Sequence, residues 1–556
     1  MQRLRQARAV AAGMALRAAC AFGLPAALVA AGCGAAVPVP PPLPASAGRA
    51  LPEMAVGGAS IEALQSRLVA LAADRPRLEH QARLVLQHHP ELALAHHALA
   101  LVALERGEHE RALASARRAL GLDPGLGCAL RLVRRLLVAE DRGAEAVATW
   151  QRGLFAPELA PRWPDRFAAR RQALAAAATT VARRADDPEA RHALARAYLA
   201  CGWIEEAALQ AARLDRIDRE LERQLRLVRA VRRGLAALGP QHGLEEAQRV
   251  LAAAAVHAGR PELAGPPLAT SGGEAGTLLT PGAPLVAALL EAGVLLELRE
   301  TSRGLLARAP SVVALFEVPA LTGTAPVLCY VVEGQGLEPA RRQALLGRSG
   351  PAGAVVLDLD ALRPAPRDLA CAAALLAGQA PRSAAERALL RLLERLFGPP
   401  PVGVPRERLF AELLAVRLDY VALHEVGHAV DLRRLVPRAA HPWRNLERLF
   451  AGGLSAAGIG ARDEEVAELF ALLQGRWPAA ALYSLLGAAA HGGPSVHARA
   501  ARAVLAGLAA APEEAAPVRA EEIARRVLLL DDPELRARAR ARLVALGVLE
   551  PESRAP

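Results

Sequence analysis

A chain of 556 residues, 53% hydrophobic and 22% charged, has a globular composition; this excludes wholesale disorder and is too much for one ordinary core, predicting two or three domains plus tails. Aromatic residues make up only 3%, so the cores must be built from Leu, Val and Ala. The net charge of +11 would ordinarily point to nucleic acid, but all 68 basic residues are arginine and they are spread along helical segments, so the charge reads as biased composition and no nucleic-acid partner is expected.

Arg3, Arg5, Arg8 and Arg17 precede the apolar run "AACAFGLPAALVAA", which ends at "GCGAAVPVPPPLPASAG". A charged start, a short apolar stretch and small residues at its end are the layout of an export signal, over 1–33. "AAGC" resembles the bacterial lipoprotein lipobox, which implies cleavage before Cys33 and its lipidation, although Ala30 stands where Leu is usual. The protein is therefore expected to be exported and membrane-anchored, facing the periplasm or cell surface, where basic charge would add to attraction by anionic lipid. Four cysteines remain outside the signal, Cys128, Cys201, Cys329 and Cys371, without C-x-x-C spacing. They predict no cysteine zinc site, and an oxidising compartment would permit disulfides whose pairs the sequence does not assign. Residues 34–60, with "VPVPPPLP", predict an extended tether.

From 61 to 263 the chain reads as helix after helix. In "AHHALALVALERGEHERALASARRALGLDP", Leu99, Ala100, Gly107, Ala112, Ala116, Ala119 and Pro124 fall at the small, apolar and helix-ending positions of a unit that resembles the tetratricopeptide repeat. Leu194, Ala195, Tyr198, Gly202 and Ala207 match a second unit. Such repeats imply paired antiparallel helices that bind a protein partner. A Gly/Pro/Thr-rich linker is predicted at 264–284. Beyond it, "VLLELRE", "SVVALFEV", "APVLCYVVEG" and "GAVVLDLDAL" are short β-branched runs that predict a small antiparallel or mixed sheet before 362. Helices return from about 366 to 548, and "WPAAALYSLLGAAAHGG" is too short to span a bilayer and reads as a buried helix.

One of these helices carries chemistry. "RERLFAELLAVRLDYVALHEVGHAVDLRRL" has apolar residues at helical spacing and no proline between Pro405 and Pro437. His424 and His428, four apart, then project from one face about a turn apart, and Glu425 lies beside the first. That arrangement suits one zinc ion, with the glutamate able to take a proton from water as it attacks a carbonyl. A third ligand is needed, and the metzincin continuation fails because its positions hold Asp431 and Arg434.

Glu464, thirty-six residues after His428, lies in "ARDEEVAELFALL", where Glu464, Ala467, Glu468 and Phe470 form E-x-x-A-E-x-F. "HEVGHAVD" with "EEVAELF" resembles the catalytic domain of anthrax lethal factor and its relatives among the gluzincin metallopeptidases, over about 50 residues. The resemblance implies zinc ligands His424, His428 and Glu464, Glu425 as general base, Glu468 orienting a ligand histidine, and a structural Asp431. On the residues alone, Asp463 to Glu465 could instead be a helix cap and first-turn acids, and Glu465 could be a ligand. Lethal-factor-like enzymes carry a tyrosine where this chain has Ala457, so another group must stabilise developing negative charge. His497, His491 and Tyr483 are the candidates, and "VHARAAR" resembles a His/Arg segment of a membrane-associated gluzincin group.

The expected fold is α+β, mostly α: a tetratricopeptide-like solenoid, a zincin-like domain over 285–512, and C-terminal helices and tail over 513–556. The expected function is a lipid-anchored zinc metalloendopeptidase acting on peptides or proteins, with an edge strand at "GAVVLDLDAL" to receive extended substrate. The alternative is a non-catalytic repeat scaffold lipoprotein with a degenerate zincin domain.

Overall fold

The computed structural model describes residues 61–549 apart from 155–162, 215, 240, 265–283, 302–303, 320–325, 334–346, 350–353, 400–402, 436–455, 491–494, 511–518 and 547. The predicted signal, Cys33, the tether and nearly all of the predicted linker lie outside the described residues. The described chain is mostly α-helical with two small sheets, an α+β fold. None of its helices is long and apolar enough to cross a membrane.

The N-terminal part is a succession of helices: α1 Ile61–Ala70, α2 Arg75–His88, α3 Ala93–Glu105, α4 His109–Leu122, α5 Gly127–Ala139, α6 Gly143–Arg152, α7 Ala168–Arg183, α8 Pro188–Ala200, α9 Ile204–Ala211, α10 Arg219–Ala236 and α11 Leu244–His257. Asp74, Asp187 and Asp218 cap α2, α8 and α10 by accepting first-turn backbone N–H groups. α3 with α4 and α8 with α9 form hairpins whose facing alanines, Ala100, Ala112, Ala116, Ala195 and Ala207, are fully buried. Their turns pass through Gly107 and Gly202 in the left-handed region, where a Cβ would be strained. A further hairpin, α5 with α6, turns at Asp141, which is also left-handed and lies 34 residues after Gly107. Arg191 and Arg213 each hold the Asp141 carboxylate at 2.6 Å, so ion pairs offset the strain.

After α12 (Pro284–Glu291), β1 (Glu297–Thr301) and β2 (Gly304–Arg308) form an antiparallel ribbon. β3 (Ser311–Val318), β4 (Val327–Glu333), β5 (Gly347–Ser349) and β6 (Val355–Asp358) form a mixed sheet in the order β3-β4-β6-β5, with β4 and β6 parallel and the other pairs antiparallel. This corrects the expected edge: β6, from "GAVVLDLDAL", lies inside the sheet because Val355, Val356 and Leu357 are buried, and β5 flanks it. The outer side of β3 is covered by the helical region. Asp165 bridges to Phe316, Arg166 N–H donates to the Leu315 carbonyl at 3.0 Å, and Leu315 N–H donates to Asp165 Oδ1 at 3.1 Å.

The remaining helices are α13 Leu359–Leu362, α14 Pro366–Leu376, α15 Ala384–Phe397, α16 Arg406–Leu435, α17 Ala456–Gln474, α18 Pro478–Ala490, α19 Val496–Ala509, α20 Ala520–Leu529 and α21 Asp532–Ala545. α16 lies against the four-stranded sheet and packs on α17, which in turn meets α19 and α21. One hydrophobic core runs from Ala100 through the sheet to Val548. Residues 532–545, expected as a C-terminal appendage, are thus packed on the helix that carries Glu464. Cys128, Cys201, Cys329 and Cys371 are free thiols.

Candidate metal centre

α16 buries Leu409, Phe410, Leu414, Leu418, Val421, Ala422 and Val426, which fixes the rotation of the helix and so the direction of its polar residues. His424 and His428 stack one turn apart with ring centroids at 4.8 Å, as their spacing predicts. Glu464 reaches them because α16 and α17 approach closely at Gly427. A Cβ on Gly427 would stand 2.7 Å from Ala467 Cα, so only glycine opposite alanine permits this crossing. Asp419 Oδ2 accepts the Arg476 N–H at 2.9 Å and fastens the end of α17 back to α16.

The three predicted ligands converge, with donor atoms all within 4.8 Å of one another. His424 Nε2 and His428 Nε2 are 3.2 Å apart, His424 Nε2 and Glu464 Oε2 3.3 Å, and His428 Nε2 and Glu464 Oε1 3.7 Å. Donors about 2.1 Å from a tetrahedral zinc ion stand about 3.4 Å from one another, so the spacing fits that metal. Glu464 Oε2 is buried and faced by two imidazole nitrogens, His424 Nε2 and His497 Nδ1, an acidic oxygen placed where a cation would meet it. Two imidazole nitrogens and one carboxylate are also the donor set zinc favours.

Electrostatics separates the members of the cluster. Burial works against the charged form of His424, but Glu464, Glu468 and Glu425 outweigh it and hold the imidazole up at about 9. His428, equally desolvated and next to His424, is pushed down to about 4. Burial would raise Glu464, yet the imidazoles of His424, His497 and His428 hold it far below the usual carboxylate range. Glu425 is lifted by burial to about 7, against the pull of His424, and lies near enough to Cys329 on β4 to disfavour that thiolate. A carboxyl poised near neutrality suits proton transfer.

The alternatives left open by the sequence are resolved by packing. Glu465 points to the last helix, where Arg542 Nε and Nη2 each donate to it at 2.8 Å, so it is not a ligand. Asp463 to Glu465 are not a cap either, because α17 starts at Ala456 and all three are buried within it. His497, in the first turn of α19, brings Nδ1 to 3.0 Å from Glu464 Oε2 while its side chain stays 61% exposed. Tyr483, the other candidate for stabilising negative charge, has its hydroxyl pushed up to about 12 by burial and by Asp368 and Cys371. His491 lies outside the described residues, as do the side chains of Asp431 and Ala457 on α16 and α17.

Glu468, one turn after Glu464, brings Oε1 to 3.7 Å from His424 Nδ1. Sequence reasoning missed its other neighbour, Tyr420, whose hydroxyl lies 2.8 Å from both Glu468 oxygens and 3.0 Å from Ser484 Oγ. The available signal was its place one turn before His424. The chain matches no family model, no curated protein and no solved structure.

Proposed function

We propose that this protein is a zinc-dependent metalloendopeptidase of the gluzincin type, exported and lipid-anchored through Cys33. The observation that carries the reading is the convergence of His424, His428 and Glu464 from two helices at zinc-ligand spacing, with Glu425 beside the first histidine. Bound zinc would supply Lewis-acid polarisation of a carbonyl and a lowered pKa for the attacking water. Glu425 takes a proton from that water as its oxygen bonds to the peptide carbon, and delivers a proton to the amine when the C–N bond breaks. His497 Nδ1 is engaged by Glu464, which leaves Nε2 as the atom to donate to a developing oxyanion, the task for which the methyl of Ala457 offers no donor.

The sheet supports the substrate side of this reading. With β3 covered and β6 internal, β5 is the strand with no partner on its outer side among the described residues, and α16 packs beneath it. An extended peptide added there would run past the metal site. The N-terminal hairpins, which resemble tetratricopeptide repeats, would bind a protein partner or present substrate.

The test is metal content and peptide cleavage by the purified chain beside two variants. Wild type is expected to hold one zinc ion, Glu464→Ala to lose affinity, and Glu425→Gln to keep zinc while cleavage falls at least about 100-fold. Absence of zinc, or zinc without cleavage of a broad peptide library, would support the alternative, a repeat scaffold with a degenerate zincin domain.

A further inference from the structure

We infer that Tyr420 is a positioning residue for the metal site, holding Glu468 against His424 through a half-buried chain of hydrogen bonds that ends on Ser484. This rests on the metal-site reading above but not on peptide cleavage. His424 Nδ1 is buried and has no hydrogen-bond partner, and the group facing it is Glu468 Oε1 at 3.7 Å, just beyond hydrogen-bond length. A ligand imidazole needs that second nitrogen fixed, because its partner selects the tautomer that leaves Nε2 free for metal.

Glu468 cannot hold this position by itself. Its side chain, on α17, is only 13% exposed, and a carboxylate so largely withdrawn from water needs donors for its oxygens. Tyr420 supplies one. Its hydroxyl lies 2.8 Å from each Glu468 oxygen and donates to the carboxylate. The Tyr420 ring lies 6.1 Å from the His424 ring, packed on the same helix face. Ser484 Oγ, 3.0 Å from the hydroxyl, takes part from α18 and fixes the phenol from a third helix. The chain Ser484, Tyr420, Glu468, His424 therefore ties three helices to the orientation of one ligand.

The test is zinc affinity of the full chain by competition with a chromophoric chelator, with cobalt(II) absorption as a report on ligand geometry. Tyr420→Phe removes one oxygen and keeps the ring. It is expected to weaken zinc about 10- to 100-fold and to alter the cobalt band, with the helical circular dichroism unchanged. Ser484→Ala, one bond further out, is expected to have a smaller effect in the same direction. Wild-type affinity and an unaltered cobalt band in Tyr420→Phe would overturn the assignment while leaving the metal site intact. A wild-type chain that binds neither zinc nor cobalt would overturn both. Loss of circular dichroism in Tyr420→Phe would show a role in folding instead.

Discussion

His97 and His424 are both buried imidazoles, and their surroundings push them in opposite directions. Three carboxylates raise His424, whereas His97 on α3 has both ring nitrogens without a hydrogen-bond partner, and burial with Arg131 and Arg75 nearby pushes it down to about 4. The unfolded chain protonates this side chain near pH 6.5, and the folded one resists until about pH 4. Stability linked to His97 is therefore present above pH 6.5 and is lost as pH falls through that window, by roughly 2 kcal/mol between pH 7 and pH 5. His97→Leu is expected to flatten that part of the pH dependence in urea unfolding; an unchanged slope would show that His97 finds a partner in solution. At this scale the stacking of His424 on His428 was legible, because four-residue spacing is a local property of a helix. Tyr420 was not, because what defines it is Glu468, 48 residues away.

Elements meet at the site through small residues. The glycine of HEVGH and the alanine of E-x-x-A-E face each other, and this contact brings Glu464 within 3.3 Å of His424. Gly427→Ala must push α16 and α17 apart, which is expected to cost about 1–3 kcal/mol in overpacking and to weaken zinc binding by at least about tenfold. Gly487→Ala on α18, where an added Cβ meets nothing within 4 Å, is the matched control and is expected to stabilise by up to about 1 kcal/mol. Equal zinc affinity in the two variants would show that the crossing tolerates the extra carbon. Helix periodicity made most of these elements legible in the sequence. The α5–α6 hairpin was not, because the left-handed turn residue is Asp141 rather than glycine and its support comes from Arg191 and Arg213, distant in sequence. The place of β6 inside the sheet was equally unreadable, since three apolar residues and an aspartate do not specify their neighbours.

In the whole molecule, the linker composition that marks a chain boundary at 264–284 does not mark a mechanical one. Gly202, at a hairpin turn, and Gly293, before β1, touch so closely that a Cβ on Gly202 would lie 2.5 Å from the Gly293 carbonyl oxygen. Ser311 Oγ on β3 donates to the Gly202 carbonyl at 2.7 Å and accepts from Arg232 at 2.9 Å. Arg134 on α5, stacked over Trp203, bonds Glu206 on α9 at 2.8 Å and Glu333 at the end of β4 at 3.0 Å, all three side chains buried. Arg131 adds a 2.8 Å bond to Asp360 just beyond β6. Such contacts span up to 229 residues of sequence, and no local pattern announces them. Removing the shared cation leaves Glu206 without its buried partner and Glu333 with only the 3.9 Å contact to Arg363, so Arg134→Leu is expected to destabilise the fold by about 3–5 kcal/mol, far more than loss of an exposed ion pair. The same fusion predicts that hairpins and metal site unfold together. In urea, the fluorescence of the zinc-loaded chain with Trp443 and Trp477 replaced by Phe, which leaves Trp150, Trp163 and Trp203 as reporters on the helical region, is expected to change at the same midpoint as zinc release. Zinc release well before the tryptophan transition would show that the helices around the metal open as a separate unit, and that the arginine bridge joins two bodies without making them one.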